Sequence, residues 1–195
     1  MSKRPAPRTL TVLSSQRLSP SMIRVTLGGE AMRDFPPGFA GGYVKLMLAP
    51  ASAHGKAVIR TYTIRHQHAE AIDLDFALHG GAAAGPATRW ALNARPGDTI
   101  AVGGPGLPKP LPEGRDFYLI AGDMTALPAI SVNLAALPAD ACGFAAIEIQ
   151  DEADRPDLVV PEGVTVEWLV NPEPGQRPDL LVDALRTAGR PDGRL

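Results

Sequence analysis

The residues best suited to chemistry lie between Arg60 and Gly106, in RTYTIRHQHAEAIDLDFALHGGAAAGPATRWALNARPGDTIAVGGPG. Arg60-Thr61-Tyr62-Thr63 reads as part of a strand, whose alternation places Arg60 and Tyr62 on one face and Thr61 and Thr63 on the other. His79-Gly80-Gly81 follows as a glycine-rich turn, running through alanines to Gly85-Pro86-Ala87-Thr88. A proline directly after Gly85, ahead of Ala-Thr-Arg-Trp-Ala-Leu, marks a helix start with Pro86 at its first position. Free amides at a helix N-terminus attract anions, and glycines let a phosphate approach the backbone. A cation, a flat aromatic ring and a phosphate-binding helix end together describe a site for a nucleotide cofactor carrying a planar ring system.

The elements that must position these groups follow from the apolar pattern. Arg8 to Ser14, Met22 to Leu27, Tyr43 to Leu48, Ile59 to Arg65, Ile72 to Leu78 and Thr99 to Val102 read as strands. In the second, Met22, Arg24 and Thr26 alternate with Ile23, Val25 and Leu27, a half-buried pattern. One helix, Pro86 to Ala94, falls late in the order, so six strands and a helix fit a small closed antiparallel barrel. Gly103 to Asp116 changes composition abruptly and reads as a linker, which divides the chain into residues 1–112 and 113–195. Beyond it, Phe117 to Ala121, Gly143 to Ile149 and Val164 to Val170 are apolar runs. They alternate with helical patterns carrying Leu127, Ile130, Leu134 and Leu137, and then Leu180, Leu181, Ala184 and Leu185. Strands alternating with helices imply a parallel sheet, and ligands bind such sheets beyond the strand C-termini, where Gly122 to Thr125 lies.

Composition narrows the class. A hydrophobic content of 45% and a charged content of 21% over 195 residues are those of a globular chain able to bury a core. The 20 prolines and 20 glycines are dispersed among apolar segments, as turns require, rather than gathered in a disordered tract. A net charge of −2 gives no electrostatic case for nucleic acid or a membrane surface. Met1 to Leu10 has no apolar core of a secretory signal, and no apolar run reaches membrane-spanning length. The expectation is a soluble, cytoplasmic protein without membrane insertion.

Other candidates carry less. His66 and His68 stand two apart, a spacing that can ligate metal, but no third ligand is near in sequence, so they read as exposed loop-end histidines and no metal site is assigned. Cys142, the only cysteine, has no basic neighbour to activate it. Asp151 to Asp154 reads as a solvated acidic loop, and Trp90 as core rather than as a cofactor stack.

Arg-x-Tyr-Thr, Asp-x-Asp-Phe-x-Leu-His-Gly, Gly-Pro-Ala-Thr-x-Trp-Ala, Pro-Gly-Asp and Gly-Gly-Pro-Gly, in that order, resemble the siderophore-interacting proteins. These are flavin-dependent ferric-siderophore reductases of the ferredoxin–NADP reductase superfamily. The resemblance implies an FAD-binding barrel over residues 1–112 and a shortened NAD(P)H-binding parallel-sheet domain over 113–195. It implies that Arg60 pairs with a flavin phosphate and that Tyr62 packs on the isoalloxazine ring. Thr63 would hydrogen-bond near the reactive nitrogen and so stands as the catalytic candidate. Amides of His79-Gly80 and of Gly85, Ala87 and Thr88, around Pro86, would hold the pyrophosphate, with the Thr88 hydroxyl as a further donor. Asp123 and Thr125 would border the nicotinamide.

The resemblance also implies a ferric siderophore as partner, with Lys45, Lys56 and Arg65 as guesses for its contacts; the oligomeric state stays open. Three departures stand out: Met124 where relatives carry glutamate, Asn171 where they carry a basic residue, and an end at Leu195 before a further strand. Arg177 could take the place of that basic residue. A reductase acting on another acceptor, and a flavin- or siderophore-binding module without pyridine-nucleotide reduction, are the alternative readings.

Overall fold

The computed structural model describes residues 6–48, 58–79, 84–173 and 176–189. The chain divides into two compact units, one of Met1–Leu18 and Met22–Lys109, the other of Ser19–Ser21 and Pro110–Leu195.

The first unit is an antiparallel sheet of β1 (Arg8–Ser19), β2 (Met22–Gly28), β3 (Tyr43–Leu48), β4 (Val58–Thr63), β5 (His66–Gln67), β6 (Ala71–Ala77) and β7 (Thr99–Gly106), with α1 (Pro86–Asn93) packed against it. The strand order is β4-β3-β7-β1-β2-β6-β5. The sheet curls far enough for Tyr62 of β4 and Phe76 of β6 to bring their ring centroids within 4.2 Å. It is therefore barrel-like, yet it differs from the closed six-stranded barrel expected. A seventh, two-residue strand is present, and no ladder joins β4 to β5 among the described residues.

The reason lies at Ile64-Arg65. Ile64 N–H donates to the Gly42 carbonyl at 2.8 Å, and the next amide, Arg65 N–H, donates to the Asp73 carbonyl at 2.8 Å. Adjacent amides thus bond opposite ends of the sheet, so the chain itself bridges the gap. The core is built from the alternate residues of each strand, among them Leu10, Val25, Leu46, Ile72, Leu74 and Phe76, all fully buried. Ala87 and Ala91 let α1 lie close on them.

Strand β6 is buried on both faces. Ile72, Leu74 and Phe76 enter the core, while Asp73 and Asp75 on the other face are only 6% and 8% exposed. Buried carboxylates need partners, and neighbouring elements supply them. Arg24 of β2 clamps Asp75 through Nε at 2.7 Å and a second nitrogen at 2.8 Å. Asp73 accepts from the Thr26 hydroxyl at 2.8 Å, and its other oxygen lies 3.0 Å from both His66 Nδ1 and His68 Nε2. The two histidines are therefore not idle loop-end groups; a carboxylate seven positions beyond His66 draws both together. Among the described residues no group of three or more His, Cys, Asp or Glu side chains is arranged to hold a metal.

The second unit contains a parallel sheet of order β10-β9-β8, formed by β8 (Tyr118–Gly122), β9 (Gly143–Ile149) and β10 (Val164–Val170), with α2 (Leu127–Ala135) and α3 (Leu180–Thr187). A Cβ on Gly122 would lie 2.7 Å from the Ala126 Cβ and 2.8 Å from Ile130 Cδ1, so this glycine lets α2 close on the end of β8. The acidic loop after β9 is not simply solvated. Asp154 is buried and accepts from Ser19 Oγ at 2.6 Å, Ser21 N at 2.8 Å and Asp151 N at 3.0 Å. Among the described residues no helix is long and apolar enough to cross a membrane.

The network on β6 makes stability depend on pH in a definite direction. Burial holds the His66 imidazole below its ordinary 6.5, against the pull of the Asp73 hydrogen bond. For Asp73, burial pushes upward, but hydrogen bonds from His68, Thr26 and His66 bring its carboxyl below the ordinary 3.8. In both cases the unfolded chain takes up protons first as pH falls, so stability falls with it. The free energy of unfolding, measured in urea from about pH 8 to about pH 3, should decline once below 6.5 through His66 and again below 3.8 through Asp73. His66→Gln should remove the upper decline and keep the lower one.

Candidate functional site

The register of β3 against β4 sets the first part of the site. Val58, Arg60 and Tyr62 pair with Leu48, Leu46 and Val44, which are buried. Directly paired residues share a face, so Arg60 and Tyr62 lie on the core side of β4, and Thr61 and Thr63 on the other. Arg60 is nonetheless exposed, because β4 ends the sheet and no ladder covers its outer edge among the described residues. One of its guanidinium nitrogens donates to its own neighbour, the Ile59 carbonyl, at 3.0 Å. Tyr62 is half-buried, its ring tilted 33° against Phe76, which in turn lies 5.6 Å from Trp90 of α1. Burial pushes the Tyr62 phenol up, and the nearby Arg60 charge pulls it down. Trp90, partly buried, is the other end of this aromatic row and packs against the core. Phe76 is the member that sequence reasoning missed; its signal was the Asp73-Leu74-Asp75-Phe76 alternation.

The second part is the start of α1. Gly85 is the N-cap in extended conformation and Pro86 occupies the first turn. The first helical bond runs from Arg89 N to the Gly85 carbonyl at 3.0 Å, leaving the Ala87 and Thr88 amides ahead of the helical ladder. Among the described residues no side chain caps them, no acidic residue sits in the first turn, and a Cβ built on Gly85 would meet nothing within 4 Å. Arg89 also donates to the Ala84 carbonyl, tying down the segment that enters the helix. The Thr88 side chain is 3% exposed and packs inward with Ala87 and Ala91, so its amide is better placed for a ligand than its hydroxyl. His79 is exposed at the end of β6, whereas Gly80, Gly81 and Lys56 lie outside the described residues.

The turn after β8 is a different arrangement. The Asp123 carboxylate accepts from the Thr125 amide at 2.8 Å, the Thr125 hydroxyl at 2.6 Å and the Ala126 amide at 3.2 Å. Both side chains are exposed and organise the turn into α2 themselves. Met124 is buried, with Gln150 Nε2 at 3.8 Å from its sulfur. Asn171 is buried as well, donating to Glu148 at 3.0 Å from the end of β10, while Arg177 is exposed.

An exposed cation, a half-buried ring on an uncovered strand edge and an uncapped helix start beside open space fit a planar cofactor that carries a pyrophosphate. The comparisons with known proteins agree. Residues 11–58 and 52–109 match the siderophore-interacting FAD-binding domain, and residues 115–195 match the siderophore-interacting protein family model. The ferric vibriobactin reductase ViuB of Vibrio cholerae is 34% identical over 96% of this chain and 74% of its own length. The NADPH-dependent ferric-chelate reductase of Escherichia coli K12 is 30% identical over 85% of this chain and 72% of its own. The crystal structure of the siderophore-interacting protein SipS from Aeromonas hydrophila superposes with a TM-score of 0.81 at 37% identity, covering 96% of this chain and 76% of that one. With one relative aligned over 96% of this chain and both halves matched by family models, the chain belongs to the siderophore-interacting protein family and carries its FAD-binding domain.

Proposed function

We propose that the protein is a flavin-dependent reductase that passes electrons from NAD(P)H through FAD to a ferric siderophore. The observation that carries this reading is the pairing of Arg60 and Tyr62 on the uncovered edge of β4, within a unit that also presents the uncapped start of α1. Family membership and the names of the two reductase relatives support it. In this reading Arg60 makes a charge-assisted hydrogen bond to a phosphate. The Ala87 and Thr88 amides, together with those of His79 and Gly80, hold the pyrophosphate. Tyr62, its ring backed by Phe76, offers a flat apolar face to the ring system, and Thr63 donates a hydrogen bond at its edge. Bound FAD supplies the conversion of two-electron hydride chemistry into one-electron reduction of iron, which no side chain here could perform. Overall, one NAD(P)H reduces two iron(III) centres, giving NAD(P)⁺, one proton and two iron(II) centres that their siderophores hold less tightly. Asp123 and Thr125 form the turn at a strand C-terminus, where parallel sheets receive nucleotides. The reaction belongs in the cytoplasm, where reduced pyridine nucleotide is available.

One observation favours the second reading, a binding module that uses nicotinamide poorly. The Asp123 carboxylate and Thr125 hydroxyl are bonded to each other, and Met124 is buried with its sulfur facing Gln150. Stopped-flow bleaching of bound FAD by NADH and NADPH, followed by ferrous-chelator capture of the iron, separates the readings. Prompt bleaching and ferrous release support the reductase; a yellow protein that neither nucleotide bleaches supports the module.

Two substitutions probe the flavin side. Arg60→Ala removes a charged hydrogen bond of about 1.5–3 kcal/mol, so FAD affinity should fall roughly ten- to a hundred-fold in a fluorescence titration of apoprotein. Thr63→Val keeps the β-branched shape but not the donor. It should retain FAD while shifting the flavin's potential and its rate of reduction; loss of FAD as complete as in Arg60→Ala would misplace Thr63.

A further inference from the structure

We propose that the second unit selects NADH over NADPH, and that Glu148 is the selecting residue, accepting from a ribose 2′-hydroxyl and repelling a 2′-phosphate. This deepens the reductase reading and rests on it for the presence of a pyridine nucleotide.

Glu148 is a carboxylate in a costly place. It is the last residue but one of β9, paired in register with Leu169 of β10, and only 9% exposed. Its Oε1 accepts from Asn171 Nδ2 at 3.0 Å. Asn171 is itself buried and fixed, its backbone amide donating to the Ile149 carbonyl at 2.8 Å. Among the described residues nothing donates to the other oxygen, Oε2. Nor is Oε2 sealed in, because no fully buried side-chain nitrogen or oxygen among them lacks a partner. It therefore faces what solvent access Glu148 retains. A nearly buried carboxylate with one oxygen held and the other open favours a ligand that brings a hydrogen-bond donor.

Its place says which ligand. Strands β8, β9 and β10 run parallel, and Glu148 and Asn171 lie at the C-terminal end of the sheet, as does the Gly122–Thr125 turn. Nucleotides bind such sheets at that end; NAD sites set a carboxylate on the ribose 2′-hydroxyl, and NADP sites set an arginine near the 2′-phosphate. A hydroxyl can donate to Oε2. A phosphate monoester carries a charge of about −1.5 to −2 near neutrality and is repelled by it.

The surrounding charges leave a phosphate without a counter-ion. From Gly143 to Glu173 the sequence holds one cation, Arg155, and Glu152 pairs with it at 2.5 Å. Asp151 caps the loop by accepting from the Ala153 amide, and Asp154 is bonded to Ser19, Ser21 and the Asp151 amide. The acidic loop is thus occupied with its own turn, and the discrimination falls to Glu148. Past β10 come Asn171, Pro172 and Glu173, the last accepting from Gln176. Arg177, exposed beyond them, is the competing candidate, since a cation there would favour NADPH instead.

5′-AMP and 2′,5′-ADP differ only at the 2′ position and carry no nicotinamide, so they read this end of the site apart from hydride transfer. Calorimetric titration of the oxidised, FAD-loaded protein should show 5′-AMP binding at least about tenfold tighter. Glu148→Gln keeps an acceptor for Asn171 but removes the charge. It should narrow the preference about tenfold, mainly by strengthening 2′,5′-ADP. In stopped flow, NADH and NADPH should bleach the flavin at similar limiting rates, NADPH needing the higher concentration, because the 2′ group is remote from the hydride. Arg177→Gln should leave the ratio unchanged. No binding of 5′-AMP, equal or tighter binding of 2′,5′-ADP, an unchanged preference in folded Glu148→Gln, or loss of NADPH use in Arg177→Gln would each overturn the proposal. The wild-type ratio decides without any variant. Selective 5′-AMP binding by a protein that neither dinucleotide bleaches would uphold Glu148 while removing the reductase reading. Equal use of both dinucleotides would do the reverse.

Discussion

Strand β6 has no solvent face, and much of the first unit answers to that constraint. Its inward residues must find apolar partners and its outward ones must find charge. Phe76 meets the first demand by packing between Tyr62 and Trp90, which couples β4 and α1, the two elements that frame the candidate flavin site. Asp73 and Asp75 meet the second by gathering two histidines, a threonine and Arg24. Burying carboxylates is costly unless every oxygen is bonded, so the outer network is as much a condition of the strand's position as the core is. One strand therefore fixes the aromatic backing of the site on one face and the setting of Arg65 on the other.

The incomplete ladder is equally consequential. An edge strand usually needs protection from unwanted pairing, and β4 lies at an end of its sheet beside the join where Ile64 and Arg65 change partners. Its core-side residues then have buried neighbours along β3 but open space at the edge. That is why Arg60 can share a face with buried side chains and still reach solvent, and why Tyr62 is buried only in part. A ladder closed from β4 to β5 would have sealed this face.

Much of this was legible from residue order. The strand alternation placed Arg60 and Tyr62 together, and Gly85-Pro86 marked the helix start. Several of the misses concern partners that adjoining residues do not reveal. His66 and His68 looked like loop-end groups because the carboxylate that joins them belongs to the next strand and is identified only by register. The two-residue β5 has no periodicity to detect, and β7 runs on through Gly103 to Gly106, where glycine and proline suggested a linker. Asp154 looked solvated because nothing local shows that Ser19 and Ser21 will bond it. The Asp123-x-Thr125 spacing is also that of a self-capping turn, and the structure shows those local hydrogen bonds.

Arg60 and Arg65 stand five positions apart and illustrate two ways of holding a cation. Arg60 is exposed, and among the described residues its side chain bonds only to its own strand, so fixing it would order a long side chain and displace water. That cost is smaller where several groups fix one ligand together. Arg65 is half-buried and directed by an imidazole whose tautomer a buried carboxylate sets, so much of its ordering is complete before any ligand arrives. A pre-directed cation also inherits the titration of the group that directs it, whereas Arg60 inherits none. The difference between the two arginines follows from where the strand ends: Arg60 projects from the open ladder edge, and Arg65 turns onto the charged face of β6.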